Sequence, residues 1–493
     1  MEAESILTVV IVWGSLAQVR QPKKIVFSPT AAGQLLLTTS TGSDIDTLVV
    51  APRHVKREDF FDVYPAVLRK IAPDSLSSLT AVPDSFVPII KLVFNDIDID
   101  LIFVSIASLH TIPLNLELKD NKLLDSLDQP GVRAITGPVC PLHLVESFSL
   151  NIYEQRVTDE ILELVPQQKT FRTALRAIKL WAQRRAVYAN ILGFPGGVAW
   201  AMLVARVCQL YPHATGGTIV GKFFYIIKQW NWPSPIMLKS IDPGTGKEKV
   251  WNPQLYSGDK RNIMPIITPA YPSMCATYNI SKSGKSIILK ELERGNDIVQ
   301  KIFENKLQWK DLFQRHTFFT ADHKYYLNVV VSSSNKEAKK SWSGLVESKV
   351  RILVMKLEEQ ADMIELARPF TKGYERVHKT NTAAEAEEVK KGSVKYQVEE
   401  TKTTETTNPQ LAVDNAENGA IIPEVKDAKP EAHAPNEPET IYTTTFYVGI
   451  DLTPQATKNL NISAAISHFR SVCTSWPNFK EDLHELNIVP SKK

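Results

Sequence analysis

Residues 42–51 read Gly-Ser-Asp-Ile-Asp-Thr-Leu-Val-Val-Ala, and Pro52 follows. The run rich in Ile, Leu and Val predicts a strand over Asp44–Ala51 that ends at the proline. Residues two apart on a strand share a side. Asp44 and Asp46 therefore present two carboxylates on one face, while Ile45 turns to the core. Further along, Phe86–Phe94 and Ile97–Ser105 read as two more strands joined by a turn at Asn95-Asp96. The second carries Asp96, Asp98 and Asp100, alternating with Ile97, Ile99 and Leu101.

Pairing these strands would gather at least three carboxylates. Two like charges about 4 Å apart repel by roughly 1 kcal/mol in water and by about 4 kcal/mol at an effective dielectric near 20. Such a cluster takes up protons or cations. Without His or Cys beside it, the donor set suits Mg²⁺ or Mn²⁺ rather than Zn²⁺. Two such ions bridged by a shared Asp serve in-line phosphoryl transfer. Edge strands with solvated Asp residues are the competing reading. The spacing leaves open which of the second strand's three Asp completes the site.

Helical spacing over Phe60–Ala72, between the strands, implies an α/β layer. Beyond about Thr158 the pattern turns helical. Phe171, Leu175, Ile178 and Ala182 step by four, three and four, with Arg172, Arg176, Lys179 and Gln183 one position later. This predicts one packed face beside a mostly cationic one. Gly193–Gly197 breaks that helix, a second spans Val198–Leu210, and residues 230–275 read as loops between short elements. A third unit opens near residue 316. It has a strand at Tyr325–Val331, a helix at Trp342–Glu359 with Trp342, Val346, Val350, Leu353 and Leu357 on one stripe, and a strand at Thr443–Ile450. Residues 376–439, rich in Glu, Lys, Thr, Ala and Pro, read as a disordered insert.

The 493 residues suffice for about three domains. Apolar residues at 43% and charged residues at 23% exclude a disordered, collagen-like or coiled-coil chain. Four dispersed Cys exclude a disulfide scaffold and favour a reducing compartment. A net charge of +3 means that nucleic-acid affinity would come from local basic patches. The apolar segment Ile6–Ala17 is shorter than the roughly 18 residues of a membrane span. Glu2 and Glu4 stand where a signal peptide would carry Lys or Arg. It reads as a short buried strand or a spurious N-terminus, and no membrane association is expected.

Seven stretches carry a family resemblance: GSDIDTLVVAPRHVKREDFF from Gly42, FVPIIKLVF from Phe86, RVTDEILELVP from Arg156, ALRAIKLWAQRRAVYAN from Ala174, GFPGGVAWAMLVARVCQLYP from Gly193, MPIITPAYPSMCAT from Met264 and SWSGLVESKVRILVMKLE from Ser341. The chain resembles eukaryotic, especially fungal, poly(A) polymerase of the nucleotidyltransferase superfamily over about four-fifths of its length. The resemblance implies an α+β multidomain fold: an atypical segment at 1–41, a palm-like nucleotidyltransferase domain at 42–165, a helical middle domain at 166–315 and an RRM-like RNA-binding domain at 316–490. It implies template-independent AMP addition from ATP to an RNA 3′ end. Asp44, Asp46 and Asp100 would be the catalytic metal ligands of a two-metal Mg²⁺ or Mn²⁺ site, with Asp96 and Asp98 as bystanders. ATP contacts would fall on Asp44, Ile45, Asp46, Asp100, Lys179, Tyr188, Asn190, Gly197 and Val198. It also implies a monomer that works in the nucleus with cleavage-and-polyadenylation proteins; Ser491-Lys492-Lys493 is the one basic hint of nuclear import.

Each implied ATP contact has chemistry to offer. Lys179 can meet triphosphate oxygens as a point charge, and Asn190 has donors and an acceptor for a base or ribose edge. Gly196-Gly197 permits close backbone approach at a helix start. For RNA, Lys339, Lys340, Lys349, Arg351, Arg368 and Lys372 lie among Trp342, Phe370 and Tyr374, although Trp342 also reads as core. Two departures stand out. The aromatic-Gly-Ser-Tyr-Arg-Leu-Gly stretch expected upstream of Gly42 is not matched, so a catalytically impaired RNA-binding relative is the alternative. Pro138–Gln155 is an extra segment between stretches that the family joins directly.

Overall fold

The computed structural model describes residues 9–12, 26–27, 45–73, 75–82, 88–95, 97–112, 126–128, 131, 153–244, 249–400, 439–454 and 460–493. The first unit is a six-stranded sheet with two short helices. Its elements are β1 (Val9–Val12), β2 (Val26–Phe27), β3 (Ile45–Pro52), α1 (Arg57–Asp62), α2 (Tyr64–Ile71), β4 (Leu76–Val82), β5 (Ile89–Phe94) and β6 (Ile97–Ile106). The strand order is β2-β1-β3-β6-β5-β4. β3 runs parallel to both β1 and β6, and β6 forms a hairpin with β5. Asn95 opens the hairpin turn at φ +48°, a left-handed conformation that Asn tolerates.

The helical spacing over 60–72 resolves into two helices that meet at Val63. Pro65 stands in the first turn of α2, where its missing N–H leaves no bond unmade. Phe60 stacks on Phe103 of β6 with centroids 4.9 Å apart. Together with Tyr64 it covers Val49, Ala51 and Leu101 on one face of the sheet. Val50, Ile102 and Val104, of opposite parity, are buried too. Burial on both faces is why β3 reads as an unbroken apolar run. The predicted N-terminal strand joins this sheet as β1, at Ile11↔Val49 and Val12↔Val50.

The second unit comprises α3 (Tyr153–Leu164), α4 (Gln168–Arg184), a 3₁₀ turn at Asn190–Leu192, α5 (Gly197–Leu210), α6 (Gly216–Lys228), two-residue strands β7 (Ile236–Met237) and β8 (Ile266–Ile267), and α7 (Lys282–Phe303). α5 is buried on nearly every side, as an all-apolar helix must be. Trp200 from it meets Trp181 of α4 edge-on at 5.6 Å. Val157, Ile161, Leu162 and Val165, at the end of the expected palm domain, pack into this helical core. Their spacing of four, one and three forms an apolar stripe that α5 covers. Most of the extra segment 138–155 lies outside the described residues; α3 begins at Tyr153.

The third unit runs β9 (Tyr325–Ser333), α8 (Lys336–Glu358), β10 (Ile364–Pro369), β11 (Tyr374–Thr380), α9 (Ala383–Lys390), β12 (Gln397–Glu400), β13 (Glu439–Leu452), α10 (Ser463–Thr474) and β14 (Glu485–Lys492). The antiparallel order is β12-β11-β13-β9-β14, with β10 also on β13. α8 and α10 cover one face, and this is the RRM-like arrangement. Trp342, Val346, Val350, Leu353 and Leu357 meet Leu327, Val329, Phe446 and Val448 there. The expectation of disorder over 376–439 is corrected for its first part. β11 pairs along β13 from Tyr374↔Thr445 to Thr380↔Glu439, and Ala386 and Val389 of α9 pack on Ile441. Backbone pairing to a distant strand stabilises a segment whose own composition is poor in apolar surface. Residues 401–438 lie outside the described residues. No helix among the described residues is long and apolar enough to cross a membrane.

Candidate active site

Strand register places two of the expected aspartate positions. β3 and β6 pair in parallel with Asp46 opposite Asp100. Neighbours in a ladder share a face, so these two acidic positions belong to one row. Asp98 lies opposite Val93 of β5. Ile45 opens β3 opposite Ile99, on the parity of the helix-covered face. On the other side of Asp100 the ladder places Lys91, a position the sequence reading passed over. Its only signal would have been a cation two residues into the apolar run of β5. Asp44 and Asp96 lie outside the described residues.

The expected nucleotide contacts of the second unit come together around the start of α5. Gly197 is its first residue, and Gly196 caps it in an extended conformation. A Cβ at Gly197 would lie 2.7 Å from the Tyr188 hydroxyl and 3.3 Å from Lys179 Nζ. Only glycine lets the phenol and the ammonium approach this helix start. Lys179 is 9% exposed and Tyr188 4%. The predicted cationic face of α4 is thus corrected at this point: Arg176 is exposed, but Lys179 is enclosed. Val198 is buried beside Gly197.

Asn190 begins the 3₁₀ turn and is 8% exposed. Its carbonyl accepts a 3.3 Å hydrogen bond from Asn279 Nδ2, and its own Oδ1 is buried without a hydrogen-bond partner among the described residues. The turn closes at Gly193, φ +87°, where a side chain would meet the Asn279 carbonyl at 3.1 Å. Ala189, Ile191 and Leu192 then insert into the core of the third unit. The segment carrying Tyr188 and Asn190 is therefore seated between the second and third units.

A buried charge network stands behind that segment. Arg185 donates to both Glu291 oxygens at 2.8 Å, each side chain 7% exposed, and to the carbonyls of Gln314 and Arg315. Arg368 of β10 donates to the Arg185 carbonyl and to Asp322, each at 3.0 Å. Burial, then Arg368 and Arg185, push His316 down to about 4, so it is neutral at pH 7. The units are also joined by Glu358 of α8, whose carboxylate accepts from Lys282 N and Ser283 N at the start of α7. Ser283 Oγ accepts from Ala367 N at 3.0 Å.

These contacts correct the RNA-facing reading of several residues. Arg368 and Phe370 are 4% exposed and Trp342 is fully buried. Lys339 is buried and paired with Glu375 at 3.0 Å. Trp342 is core, its indole N–H donating to the Glu485 carbonyl. Lys340 is exposed, and Lys349, Arg351, Lys372 and Tyr374 are half-buried.

Comparison with known proteins follows the same three units. The poly(A) polymerase nucleotidyltransferase domain model matches residues 17–139, the central domain model 170–315 and the predicted RNA-binding domain model 317–493. The first match begins well upstream of Gly42, within the stretch read as atypical. Poly(A) polymerase pla1 of Schizosaccharomyces pombe is 44% identical over 92% of this chain and 76% of its own. Poly(A) polymerase PAPa of Candida albicans is 43% identical over 91% and 74%. Among solved structures, that of the Cid1 poly(U) polymerase covers 57% of this chain and 83% of its own at 13% identity, with a TM-score of 0.33. With three domain models matched in succession and relatives above 40% identity along most of both chains, this chain belongs to the poly(A) polymerase family.

Proposed function

We propose that the chain is a template-independent polynucleotide adenylyltransferase, adding AMP from ATP to RNA 3′ ends. The observation that carries the chemistry is the register placing Asp46 opposite Asp100 on parallel strands. Neither strand carries His or Cys, and a row of carboxylate-bearing positions fits hard divalent cations. Among the described residues no group of three or more His, Cys, Asp or Glu gathers. Asp46 and Asp100, with Asp44, are the proposed ligands of two Mg²⁺ or Mn²⁺ ions. Such ions, when bound, lower the pKa of an attacking 3′-hydroxyl and neutralise the triphosphate.

The chain's own residues do the rest. Lys179, held by burial beside the Gly197 helix start, is proposed to meet triphosphate oxygens as a point charge. Tyr188 supplies a hydroxyl at the same point, and the buried Asn190 amide offers a fixed hydrogen-bonding edge. Ile45, between Asp44 and Asp46, and Val198, beside Gly197, are proposed to approach the nucleotide through their backbone. Family membership supports assigning the reaction to mRNA polyadenylation, in the nucleus, by a monomer that joins cleavage-and-polyadenylation proteins.

The test is primer extension with oligo(A), Mg²⁺ or Mn²⁺, and each nucleoside triphosphate in turn. Extension with ATP alone, abolished by chelation and restored by metal, is expected. No extension with any triphosphate, or a preference for UTP, would overturn the assignment.

A further inference from the structure

Asn279 lies on the loop that leads into α7, and bonds on either side fix the backbone of that loop. Before it, Thr277 Oγ1 donates to the Met264 carbonyl at 2.6 Å and accepts from Ile266 N at 3.1 Å. Ala276 N donates to the Ile266 carbonyl at 2.9 Å. After it, Ile280 is buried, and Ser281 caps α7 by accepting from Gly284 N at 3.1 Å. Asn279 itself is half-buried.

From this loop Asn279 reaches the turn that carries Asn190. Its Nδ2 donates to the Asn190 carbonyl at 3.3 Å. A carbonyl only accepts, so the nitrogen end of the amide must face it and the Oδ1 end turns away. That Oδ1 is buried without a hydrogen-bond partner among the described residues, as is the Oδ1 of Asn190. The shape of the turn comes from its own bonds. Leu192 N and Phe194 N donate to the Ala189 carbonyl, and Gly193 N donates to the Asn190 carbonyl. These bonds do not fix where the turn sits. Its apolar side chains, Ala189, Ile191 and Leu192, are packed into the third unit. Lys179 and Gly197 stand on helices of the second unit. Asn279 ties the turn back to that second unit.

The Asn279 amide adds little to stability. A 3.3 Å hydrogen bond to a carbonyl that already has a donor returns less than a buried, unpartnered acceptor loses. An apolar side chain of similar shape would avoid that loss. What the amide supplies is placement, since a donor fixed against the Asn190 backbone keeps that residue's own amide at one position. Two unpartnered buried acceptors on neighbouring residues suit a ligand that brings hydrogen-bond donors, as a nucleoside does through its amine and hydroxyls.

We propose that Asn279 is a positioning residue for nucleotide binding: it holds Asn190 against the second unit, so that the Asn190 amide meets ATP together with Lys179 and Gly197. The inference rests on the proposed adenylyl transfer and adds a residue outside the expected ATP contacts. Asn279 acts through Asn190 and not on the transferring phosphate. Its loss therefore falls on the binding of ATP and spares the rate once ATP is bound.

The test is steady-state extension of oligo(A) by the full chain, with KM for ATP and kcat measured separately. Asn279→Leu removes the donor and the unpartnered acceptor together. It should raise the KM for ATP by about tenfold, keep kcat and oligo(A) affinity within about twofold, and melt no earlier than the wild type. Asn279→Ala, with less bulk to place, should show the same split. Asn190→Ala should raise the KM by itself, and adding Asn279→Leu to it should raise the KM little further, because the second residue acts through the first. A wild-type KM in folded Asn279 variants would overturn the proposal and leave adenylyl transfer standing. So would early melting of both variants, which would make Asn279 a structural residue. Full additivity in the double variant would also overturn it, since Asn279 would then act apart from Asn190. A wild type that extends no primer with ATP would overturn the adenylyl-transfer reading and this inference with it.

Discussion

The β3–β6 ladder and the junction between the second and third units treat charge in opposite ways. In the ladder, parallel register sets two acidic positions, Asp46 and Asp100, side by side. Like charges so placed destabilise the sheet by themselves. At the junction, Arg185, Glu291, Arg368 and Asp322 are paired and almost fully buried, except that Asp322 keeps some exposure. Carboxylate positions set together in this way are the ones proposed to hold an external cation. Charges that have already found partners hold two units in one arrangement. The difference separates the groups proposed to act from the groups that position.

Substitutions that break the comparison follow in order of expected effect. Replacing Asp100 or Asp46 by Ala should lower AMP addition by about a thousandfold or more, with the melting temperature and oligo(A) affinity kept. A variant that loses activity by unfolding would put Asp100 among the structural charges. Glu291→Ala should do the reverse. It strands the Arg185 guanidinium in the interior and should lower the unfolding free energy by about 3–5 kcal/mol, measured by denaturant titration. The paired replacement Arg185→Met, Glu291→Met should recover much of that loss, since two apolar side chains leave no charge unpaired.

Gly197→Ala sharpens the comparison at the point between the two regions. Its methyl would sit 2.7 Å from the Tyr188 hydroxyl, and overpacking of this kind costs about 1–3 kcal/mol. The expected readout is a KM for ATP raised by roughly tenfold with oligo(A) affinity unchanged. The smallest effect is expected for Glu358→Gln. It weakens a charged cap on the start of α7 and should reduce stability by about 1 kcal/mol. If the junction only holds the units together, this variant will leave the KM for ATP unmoved. A raised KM would show that the third unit tunes the Tyr188–Asn190 segment.

Local patterns in the sequence determined the elements of this protein. The run after Asp44, the stripe from Trp342 to Leu357 and the steps from Phe171 to Ala182 each encode a period that nearest neighbours impose on the backbone. The family resemblance marked the candidate site residues in the same linear way. Register and burial arise between segments far apart in the chain, so only the tertiary structure could decide them. It set Asp46 opposite Asp100 through the register of β3 on β6. It enclosed Lys179, whose spacing on α4 matches that of the exposed Arg176. It buried Arg368 and Phe370 against the second unit and ordered 374–380 along β13. In each case the deciding partner lies on another element, where no periodicity in the sequence reports it.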